Sequence, residues 1–223
     1  MDDKKRVFTV LAIDGGGVRG VMPARVLQEI EERTGKPIVE LFDLVGGVST
    51  GAILAAGLAV PDAEDPKKPK FTAEELKQFY LRYCSKIFPE KTFKTVRNFT
   101  SGPTYDGKAL DEIFDKNFGD VRIRDSLTHL MIPVTDIKTL RSAWIKSIKG
   151  QKDDSREGWE SMYLKDALRA ATTAPTYFPA KYYDTTPNEN VPEVTHRHAL
   201  IDGGFFCGNL LQRLHTQAKK LAP

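Results

Sequence analysis

Leu41-Phe-Asp-Leu-Val-Gly-Gly-Val-Ser-Thr-Gly-Ala-Ile-Leu-Ala-Ala-Gly-Leu58 is the stretch on which the fold turns. Its apolar run at residues 41–45 predicts a short buried strand, and residues 52–58 predict a helix. Between them stands Gly47-Val48-Ser49-Thr50-Gly51, the pattern G-x-S-x-G. Such a pattern puts a serine on a sharp strand-to-helix turn, with its hydroxyl projecting from the end of a sheet. Flanking glycines permit unusual backbone angles and keep side chains away from an incoming acyl group. The helix that follows aims its N–H groups and partial positive charge at developing oxyanion charge. The plainer role for Ser49 is that of a helix cap, a position serine favours.

Upstream, residues 7–13 (Val-Phe-Thr-Val-Leu-Ala-Ile) predict a first strand running into Asp14-Gly15-Gly16-Gly17-Val18-Arg19-Gly20. A helix is expected from about Pro23, with Val26, Leu27 and Ile30 on its apolar face and Gly35 as its stop. Strand, glycine loop, helix, strand, serine turn and helix in succession predict an α/β fold with a parallel sheet. Gly15, Gly17 and Gly20 also satisfy G-x-G-x-x-G, the dinucleotide fingerprint, with Glu40 near the spacing of a ribose-binding acid. Against that reading stand the triple glycine, Arg19, and a second glycine turn bearing Ser49 after the next strand. Exposed N–H groups beside a nucleophilic serine instead predict an oxyanion hole at Gly15, Gly16, Gly17, Val18, Arg19 and Gly20. Arg19 has two open roles: capping or pairing within the loop, or orienting the oxyanion loop or a phosphate group.

Farther along, residues 61–70 are a Pro-rich surface loop, and Thr72-Ala-Glu-Glu75 is a capping box that starts a helix to about Ile87. Leu76, Phe79, Tyr80, Tyr83 and Cys84 share one face of it, as a core stripe does. Residues 88–104, with Phe88, Phe93 and Phe99, are irregular; these rings serve either as core pins or as a lipid-facing lid. A helix follows Tyr105-Asp106-Gly107 and ends near Gly119. Strands are expected at residues 130–137 and 142–148, and a helix at residues 163–173. Charged or polar loops occupy residues 149–159 and 184–195, and a last short strand spans residues 198–201.

Composition narrows the function classes. The 223 residues carry 33 Lys+Arg against 30 Asp+Glu, a net charge of +3 that is too balanced to argue for nucleic acid. Two cysteines, Cys84 and Cys207, form neither a disulfide framework nor a metal motif, which fits a cytoplasmic setting without metal or cofactor. Residues 7–13 are too short for a signal peptide's apolar region, and no run is long enough to cross a bilayer. A soluble protein making transient contact with a membrane surface is expected, and no linker divides residues 1–223.

A base for Ser49 is found at Asp202, which ends the last apolar strand and precedes Gly203 and Gly204. Strand-end loops of an open α/β sheet converge on one crevice. A carboxylate there, among Ile201, Phe205 and Phe206, would be desolvated and its pKa raised. Taken alone, Asp-Gly-Gly is better explained as a turn; beside Ser49 and the glycine loop the balance reverses.

Together, residues 11–20, 42–51, 170–179 (Ala-Ala-Thr-Thr-Ala-Pro-Thr-Tyr-Phe-Pro) and 202–204 resemble the motifs of the patatin-like phospholipase family, in the family's order and over residues 7–204. The resemblance implies a three-layer α/β/α fold with a mostly parallel central sheet. It also implies a lipid acyl hydrolase acting on phospholipids or related glycerolipids through a Ser–Asp dyad, with Ser49 as nucleophile and Asp202 as base. A catalytically silent lipid-binding module of the same fold, or a dinucleotide-binding protein, are the alternatives. The chain departs from the family after Asp202. The usual Asn-Pro step is replaced by Asn209-Leu210, and Pro223 comes early for the family, so either the tail is lost or altered, or this is a minimal version.

Overall fold

A computed structural model describes residues 7–87, 103–148, 158–185, 195–207 and 209–222. The aromatic segment with Phe88, Phe93 and Phe99, most of the loops at 149–159 and 184–195, and the Cys84 side chain lie outside the described residues. In chain order the elements are β1 (Val10–Ile13), α1 (Val21–Thr34), α2 (Ile38–Leu41), β2 (Leu44–Gly47), α3 (Thr50–Ala59), α4 (Ala73–Ile87) and α5 (Lys108–Phe118). They continue with β3 (His129–Asp136), β4 (Arg141–Ser147), α6 (Leu164–Ala171), β5 (Lys181–Thr185), β6 (His196–Asp202) and α7 (Leu211–Leu221).

Along β2 the side chains alternate between two apolar layers, because successive residues of a strand face opposite ways. Val45 joins Ile13, Leu27, Leu54, Leu76, Phe114, Ile132 and Leu168 in the larger core, under α1, α3, α4, α5 and α6. Leu44 and Val48 join Met131, Cys207, Leu210, Leu214 and Ala218 in a smaller core under α7. Helices thus cover both faces, and the architecture is the three-layer α/β/α expected. Every residue of α3 is buried, which explains its apolar composition all the way round. Thr72 and Glu75 form the capping box ahead of α4: the Thr72 hydroxyl accepts the Glu75 N–H at 3.2 Å and the Glu75 carboxylate accepts the Thr72 N–H at 2.8 Å.

β1, β2 and β3 are mutually parallel; β6 is antiparallel to β3 and β5 to β6, so β1, β2, β3 and β5 run one way and β4 and β6 the other. β4 pairs with β3 from Leu130 to Asp136 and so occupies one whole edge of it. The other edge is shared. β2 takes its first half (Leu44 beside His129, Gly46 beside Met131), and β6 takes the second (Asp202 beside Val134, Leu200 beside Asp136). The two strands approach from opposite directions and end facing one another. Pro133, which has no N–H to give to a ladder, lies between the two paired stretches.

Three expectations are corrected. Residues 38–41 form the short helix α2, and the strand before Ser49 begins only at Leu44. Residues 181–185 are an edge strand; residues 181–183 were unassigned, and 184 and 185 were expected in the polar loop. Val26, expected on the buried face of α1, is exposed, while Leu27 is buried.

Candidate active site

Ser49 is built by its backbone. It sits at φ 53°, ψ −126°, one of three non-glycine residues with positive φ among those described. A bulky neighbour could not accompany it. A Cβ at Gly47 would lie 2.1 Å from the Gly51 carbonyl oxygen, and one at Gly51 would lie 2.4 Å from the Ile13 carbonyl oxygen. The two outer letters of G-x-S-x-G are therefore set by close backbone approach. Although Ser49 stands at the N-cap position of α3, its side chain makes no capping hydrogen bond. It stands instead beside the Asp202 carboxylate, near enough to favour its charged form.

Asp202 arrives from β6 at the point where β6 and β2 meet. It is buried, and its Oδ1 accepts the Gly204 N–H at 2.7 Å. Its own N–H donates to the Thr173 carbonyl at 2.9 Å, on the side of β6 away from β3. Burial pushes its carboxyl above the usual 3.8, and the bonds from Ser49 and Gly204 offset only part of that rise. The expected aromatic surroundings are not what desolvates it: Phe205 is 72% exposed, and Phe206 turns away to meet Trp144 edge-on at 5.6 Å between ring centroids.

The glycine loop lies against the serine turn. A Cβ at Gly15 would come within 2.7 Å of the Ser49 Cβ, so only glycine permits this approach. Thr50 ties the two together, its hydroxyl accepting the Gly16 N–H at 3.2 Å. Gly17, Val18, Arg19 and Gly20 form a short 3-10 turn. The N–H groups of Gly15 and Gly17 make no loop hydrogen bond with the described residues. Thr50 N–H, the first of α3, has no intrahelical acceptor. Arg19 is exposed and only caps its own loop, Nε donating to the Gly16 carbonyl at 3.4 Å. Glu40 lies on α2, ahead of β2, and not at the strand end that ribose binding requires.

A cleft of about 520 Å³ opens from Gly15, Gly16, Arg19 and Gly20 between β1 and α1. Its walls are largely apolar, among them Leu11, Met22, Pro23, Val26 and Ile30.

Sequence reasoning missed Tyr80, which it counted only as a core residue. The Tyr80 hydroxyl donates to the Thr50 carbonyl, and its ring fills the space a side chain at Gly20 would need. No periodicity distinguishes such a tyrosine from its stripe. The histidines lie elsewhere. His129 pairs with Leu44, at the far end of β2 from Ser49. His196 and His215 are exposed. His198 is buried, with Nδ1 3.0 Å from Asp136 Oδ2 and Nε2 2.9 Å from Thr185 Oγ1.

The model of the family described as patatin-like phospholipase matches residues 11–212. Patatin-like protein 2 of Oryza sativa subsp. indica is 34% identical over 218 residues, which is 93% of this chain and 52% of that protein. Patatin-like protein 2 of Arabidopsis thaliana is 36% identical over 216 residues, 91% of this chain and 50% of that protein. Patatin-T5 of Solanum tuberosum is 33% identical over 205 residues, 88% and 49% respectively. The chain spans about half the length of these relatives.

Proposed function

Because the chain belongs to the patatin-like phospholipase family, we propose that it is a serine lipid acyl hydrolase, cleaving acyl esters of phospholipids or related glycerolipids through Ser49 and Asp202. The observation that carries this reading is Ser49, on a strained turn and not capping its helix, set beside the buried carboxylate of Asp202. In the first half-reaction Asp202 takes the Ser49 proton as Oγ attacks the ester carbonyl. The resulting oxyanion is met by the N–H of Thr50 and by the glycine loop, at the positive end of α3. Collapse expels the alcohol, which recovers the proton from Asp202 and leaves an acyl-Ser49. A water deprotonated by Asp202 then attacks the acyl carbon, and the fatty acid departs as Ser49 regains its proton. Burial of Asp202 suits both transfers, since a carboxylate of raised pKa is the stronger base.

Exposed Val18, Met22 and Phe205, at 50%, 60% and 72%, stand on the glycine loop, the start of α1 and the turn after Asp202. They support brief contact with the lipid surface from which substrate is drawn. The test is a fluorophosphonate probe. Covalent labelling of the protein, with loss of both labelling and ester hydrolysis in Ser49→Ala, is the expected result. Labelling that persists in Ser49→Ala places the nucleophile elsewhere.

A further inference from the structure

Arg169 is a cation the fold buries without an obvious electrostatic reason. It is 4% exposed, yet its carboxylate partner Asp111, 3.1 Å from Nε, has a side chain 53% exposed. Taking a guanidinium out of water costs several kcal/mol, and a half-solvated partner repays that poorly. What the site provides is geometry. Nη1 donates to the Thr173 hydroxyl, and that hydroxyl donates back to the Arg169 carbonyl at 2.6 Å. Nη2 occupies the space over Gly107, where a Cβ would lie 1.9 Å from it, and the guanidinium covers the Phe178 ring at 5.4 Å. Thr173 is fully buried, and its carbonyl holds the Asp202 N–H.

We infer that Arg169 and Thr173 are positioning residues for Asp202: the buried guanidinium fixes the loop after α6, and the Thr173 carbonyl sets the last residue of β6 opposite Ser49. This inference rests on the reading of Asp202 as the base. β5 pairs with β6 only as far as Leu200, beside Lys181. Beyond it, the outer edge of β6 would be unsupported at Asp202. The Thr173 carbonyl takes over there, while β3 holds the inner edge at Val134. The loop is in turn anchored beyond Thr173, where the Thr176 and Tyr177 carbonyls accept the N–H groups of Thr104 and Tyr105 at 3.0 and 2.8 Å. The conserved shape of a valine and the point charge of a lysine separate this role from packing or ion pairing. Thr173→Val keeps the volume and removes the hydroxyl; Arg169→Lys keeps a charge for Asp111 and loses the fork that reaches Thr173.

Both variants are compared with the parent and with Thr173→Ser by steady-state kinetics on a soluble acyl ester and by amide hydrogen exchange at Asp202, with circular dichroism verifying the fold. A small displacement of a catalytic group is costly, so kcat is expected to fall about tenfold or more with KM within about twofold. Exchange at the Asp202 N–H is expected to quicken about tenfold or more relative to that of Leu130, whose N–H is held elsewhere by Ser147. Thr173→Ser is expected to behave as the parent. Folded Thr173→Val with parental kcat and unchanged exchange at Asp202 overturns the inference, as does Thr173→Ser failing to restore both. A parent that hydrolyses no ester refutes the hydrolase reading instead, and the exchange measurement still decides whether Arg169 and Thr173 hold Asp202.

Discussion

Replacing Asp202 by asparagine separates chemistry from scaffold. Asn is nearly the same shape and can keep the bond from the Gly204 N–H, now 2.7 Å from Oδ1, by placing its amide oxygen there. Whichever way its amide turns, asparagine has no basic oxygen to take a proton, so the serine loses its proton acceptor. A general base is worth roughly 10²–10⁴ in rate, or about 2.7–5.4 kcal/mol at 1.36 kcal/mol per decade. Stability should move the other way. Burial raises the Asp202 pKa in the folded protein, so the contribution of this group is fullest below the unfolded value near 3.8 and is lost as pH rises through the folded value. At neutral pH the ionised carboxylate therefore opposes folding, and Asp202→Asn should resist denaturant at least as well as the parent. The same raised pKa puts the acid limb of kcat/KM above 3.8, with activity rising as Asp202 ionises. Initial rates on a soluble acyl ester from pH 4 upward, with urea unfolding of both proteins, are the measurements. A folded Asp202→Asn enzyme retaining more than about a tenth of parental turnover refutes the assignment of Asp202 as the base.

Gly51→Ala should destabilise by roughly 1–3 kcal/mol, since its Cβ would start 2.4 Å from the Ile13 carbonyl oxygen, and overpacking of that kind forces backbone shifts. Thermal melting and probe labelling of Ser49 should both decline. His198→Ala should cost roughly 2–4 kcal/mol in urea unfolding, through two lost buried hydrogen bonds and the gap left beside Trp159, while turnover per folded molecule stays near parental. Burial alone would raise the Asp136 pKa, but the bonds from His198, the Ala199 and Lys138 N–H groups and Thr139 hold it below 3.8. Its contribution is thus present above that value and lost as pH falls through the depressed one, so the stability gap between parent and His198→Ala should narrow in acid.

Much of the molecule was legible in the residues. Apolar and β-branched runs gave β1, β3 and β4, the Thr72 capping box marked α4, and Gly35, at φ 64°, ended α1 where a left-handed residue was needed. What escaped had weak local signals. Lys181-Tyr-Tyr-Asp-Thr185 has no apolar alternation, because an edge strand buries little; only Thr185 is buried. His198 looked like one more polar residue near a strand start, and only the arrival of Asp136 and Thr185 from other strands makes it a buried hub. Arg169 and Tyr80 carry no local mark of what they reach, since Asp111 lies 58 residues before Arg169 and Thr50 lies 30 residues before Tyr80 along the chain.

The chemistry of the site was fixed locally. Gly47, Ser49, Thr50 and Gly51 form one tight turn whose geometry depends on residues within a few positions of one another, so their pattern is visible in the bare sequence. That Asp202 shares the site rested on the expected convergence of strand ends and on the family resemblance, not on any local pattern joining it to Ser49. The sequence suggested two strands ending side by side in a parallel sheet. In the structure β6 runs opposite to β3, shares one edge of it with β2, and meets β2 end to end. Strand direction and edge sharing depend on which backbone groups remain unpaired once β4 has taken the far edge of β3, a property of the assembled sheet. Local pattern could supply the serine turn and a carboxylate; only the pairing of distant strands sets the one beside the other.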